Sequence, residues 1–240
     1  MIDIHTHVLY GIDDGSRNIT ESIEMCRDAY ENGCDSLVLT PHFFDFNVLP
    51  AFIDERNNRI KSLKDSLLDE DIKINLYSGA EVFLSNKIFG ADNLDDLTIN
   101  HSRYLLCEMP LGPFRTDNVL LWFDELIDRG YTPILAHPER YVVLHQDYAL
   151  IDAILDRPIL MQVNIDSLRG RNGPEPQDMA IDFIENGYAQ FIASDAHDPV
   201  YRHTRLSEKL EDITRFISAS DIHRCLVKNP QKVIDDIDIL

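Results

Sequence analysis

Short apolar runs of strand length alternate along this chain with segments of helical period, and nearly every run leads straight into a histidine or a carboxylate. The runs are Ile2–His5, Ser36–Thr40, Ile74–Val82, Tyr104–Glu108, Pro133–Ala136, Leu160–Ile165 and Gln190–Ser194. Between them Ile19, Ile23, Cys26, Ala29 and Tyr30 recur at helical spacing, as do Leu120, Phe123, Leu126 and Ile127. Glu31-Asn32-Gly33, Asp128-Arg129-Gly130 and Glu185-Asn186-Gly187 each read as a helix stop just ahead of a strand. This alternation is the pattern of βα units on a mostly parallel sheet. About seven such units, with no open-sheet nucleotide signature, predict an α/β chain closed into a barrel. One domain over residues 1–240 is expected, since the length suits a single large unit.

Two stretches lack periodicity. Phe43–Pro50 follows the second run and Arg169–Pro176 follows the sixth, and both read as long loops on the side where strands end. In a barrel that side carries the active site, so both are candidate lids or substrate contacts.

The formal charge of -20, from 42 Asp+Glu against 22 Lys+Arg, argues against a nucleic-acid partner, which calls for a basic face. A solvated acidic surface accounts for part of it, and carboxylates neutralised by bound metal for another part. No apolar run approaches the ~20 residues that span a bilayer, and no signal peptide precedes Ile2. A cytoplasmic protein with reduced thiols is therefore expected, without membrane insertion. Cys26, Cys34, Cys107 and Cys225 show no C-x-x-C spacing, and Cys26 and Cys107 read as small core residues.

The ends of the runs carry the chemistry. The first ends in His5-Thr6-His7 and is followed by Asp13-Asp14-Gly15. The second ends in Thr40-Pro41-His42, the third holds Gly79-Ala80-Glu81, and the fourth ends at Glu108. The fifth enters His137-Pro138-Glu139-Arg140, and the seventh ends in Ser194-Asp195-Ala196-His197. Strand ends meet at one mouth of a barrel, so these groups should converge. Residues two apart on a strand share a face, which lets His5 and His7 address one ion and Asp195 and His197 adjacent ones. Imidazoles mixed with carboxylates suit Zn, Mn or Fe. Any one histidine is more often a satisfied core group than a ligand. Six strand ends furnished alike are not explained that way, because uncompensated buried charge is costly. His101, His145, His203 and His223 lie in loops or helical stretches and are left out of the set. Arg140 and Arg202 stand close in sequence to His137 and His197, where two guanidiniums would suit a phosphate dianion.

The ordered series from Ile2-Asp3-Ile4-His5-Thr6-His7 to Ser194-Asp195-Ala196-His197 resembles the polymerase-and-histidinol-phosphatase (PHP) superfamily over essentially the whole chain. Within it the chain is most similar to the bacterial tyrosine-protein phosphatases of the CpsB/YwqE kind, which serve capsule and exopolysaccharide systems. The resemblance implies a distorted (β/α)7 TIM-like barrel holding three divalent ions, most often Mn, with Fe or Zn as alternatives. It implies that His5, His7, Glu81 and Asp195 hold one ion. Glu81 bridges to a second that Glu108 and His137 complete, and Asp14, His42 and His197 hold the third. Asp13 adjoins Asp14, and the Asp-Gly pairing favours Asp14. Wider superfamily members often carry histidine where Glu108 and Asp14 stand, so the carboxylates point to the tyrosine phosphatase branch. Leu111-Gly112-Pro113-Phe114-Arg115 and Phe43–Pro50 match nothing diagnostic in it.

The expected reaction is hydrolysis of phosphotyrosine on a protein, with a bacterial tyrosine kinase of polysaccharide synthesis as the implied substrate. Clustered cations would generate a hydroxide that attacks phosphorus in line, while Arg140 and Arg202 stabilise the equatorial oxygens. His197 or Asp195 is a candidate proton donor to the leaving phenolate. No C-x5-R phosphatase loop is present. The rivals are a histidinol-phosphate or other small-molecule phosphomonoesterase and a scaffold whose metal is structural. A deaminase on a related barrel is a third, but it needs a lysine at a mid-barrel strand end, and Lys73 begins its strand.

Overall fold

A computed structural model describes residues 1–90, 92–110 and 116–239. The described strands are β1 (Ile2–Thr6), β2 (Ser36–Leu39), β3 (His42–Phe43), β4 (Asn75–Ser78), β5 (Glu81–Phe83), β6 (Tyr104–Glu108), β7 (Thr132–Ala136), β8 (Leu160–Asn164) and β9 (Phe191–Ala193). They form two sheets, ordered β1-β2-β4 and β3-β5-β6-β7-β8-β9, with every pairing parallel.

The two sheets are one barrel, interrupted twice. The second run, Ser36–Thr40, forms β2, and Pro41, with no N–H to give the ladder, separates it from β3 just beyond. The third run, Ile74–Val82, breaks at Gly79-Ala80 into β4 and β5 rather than forming one strand. Backbone bonds carry the barrel wall across the break, from Gly79 N to Leu39 O at 3.0 Å and from Glu81 N to Pro41 O at 3.1 Å. At the other seam Thr6 bridges Ala196, His7 N donates to Ala196 O at 2.8 Å, and Asp195 N donates to His5 O at 3.0 Å. Seven strand positions thus close a distorted (β/α)7 barrel.

Alternate side chains of each strand enter different clusters. On β6, Leu105 and Cys107 pack in the cluster shared with the helices, whereas Tyr104 and Leu106 join Ile134, Ala136, Phe191 and Ala193. Strands buried on both faces explain the near-continuous apolar runs. At ~1.5–3 kcal/mol per fully buried large side chain, this two-sided burial is the main force holding the barrel. Cys26 and Cys107 are core residues as expected, and Cys34 and Cys225 are buried too.

The helices are α1 (Ile19–Glu31), α2 (Leu49–Asp69), α3 (Thr116–Asp128), α4 (Val142–Gln146), α5 (Tyr148–Leu155), α6 (Ile165–Leu168), α7 (Pro174–Glu185), α8 (Leu206–Ile213), α9 (Ala219–His223) and α10 (Asn229–Ile234). The three stop signals fall where expected, at the ends of α1, α3 and α7. After α3 the chain turns through Gly130 at φ +88°, a conformation that a side chain resists. Asn18 caps α1, its side chain accepting from Glu21 N.

Both expected long loops are shorter than the sequence suggests. Phe43 belongs to β3, Phe46–Val48 forms a tight helical turn, and Pro50 lies in the first turn of α2, where its missing N–H costs nothing. Pro174 likewise opens α7, leaving residues 169–173 as the link. In both places a proline that signals a loop in the sequence starts a helix in the structure. Leu111-Gly112-Pro113-Phe114-Arg115 lies outside the described residues. Among the described residues, no helix is long and apolar enough to cross a membrane.

Candidate metal centre

All nine residues proposed as ligands meet at the mouth formed by the C-terminal ends of the strands. Their donor atoms fall into four overlapping groups: His5, His7 and Glu81; His5, His137 and Asp195; His42, Glu81 and Glu108; and His7, Asp14, His42 and His197. The middle of the cluster is Glu81 at the start of β5. Its Oε2 lies 3.2 Å from both His5 Nε2 and His7 Nε2 and 3.0 Å from His42 Nδ1, and its Oε1 lies 2.9 Å from His137 Nε2. His42 Nδ1 is also 3.0 Å from Glu108 Oε1. The grouping differs in detail from the one the resemblance implies. His137 stands with His5 and Asp195 rather than with Glu108, whose nearest histidine is His42.

Local backbone explains how each side chain arrives. On β6, Glu108 continues the face of Tyr104 and Leu106, so the alternation that buries those residues delivers a carboxylate at the rim. On β7 the alternation alone fails, because Ala136 already occupies that face. His137 adopts φ +38°, and this left-handed turn re-aims the ring into the mouth. Asp195 is also left-handed, at φ +51°. Such strain in residues with side chains is typical of functional sites. Gly15 solves a different problem. A Cβ there would lie 2.1 Å from His7 O, so only glycine lets the Asp13-Asp14-Gly15 segment cross over His7.

That crossing separates the two neighbouring aspartates. Asp14 is exposed and places Oδ1 3.4 Å from His197 Nε2 and 3.6 Å from His42 Nε2. Asp13 Oδ2 instead accepts the Nδ1–H of His7 at 2.7 Å and the backbone N–H of His42 at 3.0 Å. Fixing the proton on Nδ1 leaves Nε2 of His7 as a lone pair aimed at the cluster. Asp13→Asn should therefore weaken metal binding by about 10–100-fold while the fold persists, read by metal titration against circular dichroism. Unchanged affinity would remove Asp13 from this role.

Sequence reasoning missed the contribution of the sixth strand position. Leu160–Asn164 carries no ligand-type residue, yet Gln162 Oε1 accepts the Nδ1–H of His5 at 2.8 Å and Asn164 Nδ2 donates to Asp195 Oδ2 at 2.8 Å. Gln162 Nε2 donates to Asn164 Oδ1 at 2.8 Å, linking the two. The available signal was two amides spaced by two at a strand end, where a fully buried strand otherwise has no use for them. Glu139 is not drawn into the cluster. It accepts from Ser167 Oγ and Asn164 N and serves the start of α6. Among the described residues, the four groups do not include His101, His145, His203 or His223.

The electrostatics favour a cation. Burial alone would push the His7 ring down, but the hydrogen bonds and charges of Asp13 and Glu81 outweigh it and bring it up to about 10. Burial opposes charge on His5 as well, and Glu81 with Asp195 raises it all the same. On His42 the same opposition is overcome by Glu108 and Glu81. Burial works against the Glu81 carboxylate too, yet the His5 charge and its imidazole hydrogen bonds hold it well below the usual range. Glu81 Oε2 and His42 Nδ1 are buried 3.0 Å apart, and neither makes a well-aligned hydrogen bond. Imidazoles and carboxylates thus stand about 3 Å apart in a buried cluster, where each carboxylate needs positive charge beside it. Divalent ions held by these residues would supply that charge, so the residues present fit a metal.

Arg140 and Arg202 border the same cleft, a cavity of about 280 Å³. Arg140 Nη1 lies 3.1 Å and Arg202 Nη2 2.7 Å from Asp195 Oδ2. Phe44 and Phe83 also line the cleft, their ring centroids 5.7 Å apart, and Phe44 stacks on His42 at 5.2 Å.

Residues 1–235 match the CpsB/CapC family of capsular polysaccharide synthesis. The chain belongs to that family. CapC of Staphylococcus aureus is 34% identical over 215 residues, 88% of this chain and 83% of that protein. The tyrosine-protein phosphatase YwqE of Bacillus subtilis is 30% identical over 217 residues, 88% and 82% of the two chains. A solved structure of the YwqE and CpsB pair, described as unique metal-dependent tyrosine phosphatases, superposes with a TM-score of 0.86 at 27% identity. The match covers 100% of this chain and 96% of that one.

Proposed function

We propose that this chain, acting as one domain over residues 1–240, is a metal-dependent protein-tyrosine phosphatase of polysaccharide synthesis. The observation that carries the reading is a cluster of nine imidazoles and carboxylates, seven of which line one small cleft together with two guanidiniums. The similarity to YwqE and CpsB supports the phosphotyrosine substrate and the metal dependence. The nine donors are enough for three ions; their mix of imidazole and carboxylate suits Mn, Fe or Zn, and the family resemblance favours Mn among these. A tyrosine kinase of the same system, in the cytoplasm, is the substrate protein this reading favours.

When bound, the metal would supply Lewis acidity toward the phosphoryl oxygens and a water of lowered pKa. The chain's own residues do the rest. Arg140 and Arg202 are held toward the cleft by a shared Asp195 oxygen, so their remaining N–H groups are pre-aimed at phosphoryl oxygens. Phe44 and Phe83, with Met109, give the cleft an apolar wall for an aryl ring, which favours phosphotyrosine over the polar histidinol phosphate. Burial, acting with the His7 charge, pushes His197 down to about 3, and its Nδ1–H donates to Asp195 O at 2.9 Å. A neutral ring with a free Nε2 suits a metal donor better than a proton donor.

A thiolate nucleophile is not needed. Burial pushes the Cys34 and Cys225 thiols up to about 12 and those of Cys26 and Cys107 further. Exhaustive chelation should abolish turnover of p-nitrophenyl phosphate and of a phosphotyrosyl peptide, with recovery on adding Mn. A paired assay with histidinol phosphate tests the substrate class. Full activity after chelation, or a clear preference for histidinol phosphate, would overturn the reading.

A further inference from the structure

A second cavity of about 390 Å³ shares Arg140, Asp195 and Arg202 with the metal cleft and extends away from it toward Arg169 and Arg171. It gathers four guanidiniums in a chain whose formal charge is -20. Its two carboxylates are already engaged. Asp195 is held by Arg140 and Arg202, and Asp166 is bridged by Arg169 Nη1 at 2.8 Å and by the fully buried Lys209 Nζ at 2.9 Å. Arg169 is further fixed by Asp212 Oδ2 at 2.8 Å from its Nε, so its guanidinium is a rigid wall rather than a mobile arm. Arg171 is exposed, and among the described residues no ion pair or side-chain hydrogen bond engages its guanidinium.

We propose that this cavity is a specificity subsite that takes an oxyanion borne by the substrate next to the phosphotyrosine, either an acidic side chain or a second phosphate. The inference rests on the phosphotyrosine reading of the adjoining cleft. With the phosphoryl group between Arg140 and Arg202, a peptide leaving the cleft across their shared seam carries its neighbouring side chain into the cavity. Excess positive charge in a concave site on an acidic protein attracts an anion at range and orients it at contact. Guanidiniums match carboxylate and phosphate geometry equally well. Among the described residues Arg171 is the free cation of the set, and it touches none of the metal-ligand candidates.

The test compares the wild-type holoenzyme with Arg171→Glu on p-nitrophenyl phosphate and on phosphotyrosyl peptides whose flanking residues are neutral, acidic or phosphorylated. Arg171→Glu should raise KM for the anion-flanked peptides by roughly fivefold to tenfold without lowering kcat, and flatten the salt dependence of kcat/KM. The neutral peptide and p-nitrophenyl phosphate should be unaffected. Lys73→Glu, an equal charge change ahead of β4 at the far end of the barrel, should move none of them. A larger effect on the acidic or on the doubly phosphorylated peptide identifies the anion, and either supports the subsite. Equal effects of Arg171→Glu on neutral and anion-flanked peptides would overturn it while leaving the phosphatase reading intact. If the wild-type protein cleaves p-nitrophenyl phosphate but no peptide, both fall.

Discussion

Glu81→Gln should yield a folded protein that holds little metal and has lost phosphatase activity by about 10³-fold or more. The reason is geometric. One buried carboxylate stands within 3.2 Å of ring nitrogens from four histidines, so no other residue touches as much of the cluster. Glutamine keeps the shape but replaces an oxygen by an N–H2 that points at lone pairs and lacks the charge that offsets the cations. Loss of a donor at the centre must exceed the 10–100-fold that removal of an outer partner costs. Elemental analysis, turnover and a thermal melt on the same preparation separate loss of metal from loss of fold. Near-normal metal content with near-normal turnover would show that the cluster is not organised around Glu81.

Arg140→Ala should give the opposite pattern, with metal content unchanged and turnover reduced on the order of 10²–10³-fold, the cost of removing one preorganised donor to developing charge. Arg140 contacts the cluster only through Asp195 Oδ2, an oxygen that Arg202 and Asn164 also hold, so Asp195 stays in place without it. Because the two arginines share that oxygen, the double variant with Arg202→Ala should fall short of the product of the single effects. Lysine at position 140 keeps the charge without the planar fork and should recover only part of the loss. Parallel loss of metal in Arg140→Ala would make this residue a support of the metal site instead of a phosphate contact.

These two outcomes separate what the amino-acid order reveals from what it conceals. Strand ends such as His5-Thr6-His7 and Glu108 are legible because side chains alternate with period two, and a strand buried on both faces has to end somewhere in water or on metal. The positions of α1, α3 and α7 are legible because Gly33, Gly130 and Gly187 mark their ends. The breaks at Pro41 and Gly79-Ala80 could be placed only once neighbouring strands were known, since a run of apolar residues does not show whether its ladder is continuous. Pro50 and Pro174 mislead for a related reason, as the same residue closes a loop or opens a helix depending on the residues after it.

By itself, then, the sequence determined the βα alternation, the family, and the set of histidines and carboxylates drawn to one rim, because local periodicity and residue chemistry are written along the chain. Tertiary structure alone decided that Asp13 orients His7 from behind, how His137 turns inward against the alternation of β7, why Gln162 and Asn164 matter, and that Arg169 and Arg171 share a cavity with Arg140 and Arg202. Those outcomes depend on distances between residues far apart in the chain, and such distances are set by how the barrel closes rather than by any stretch of sequence.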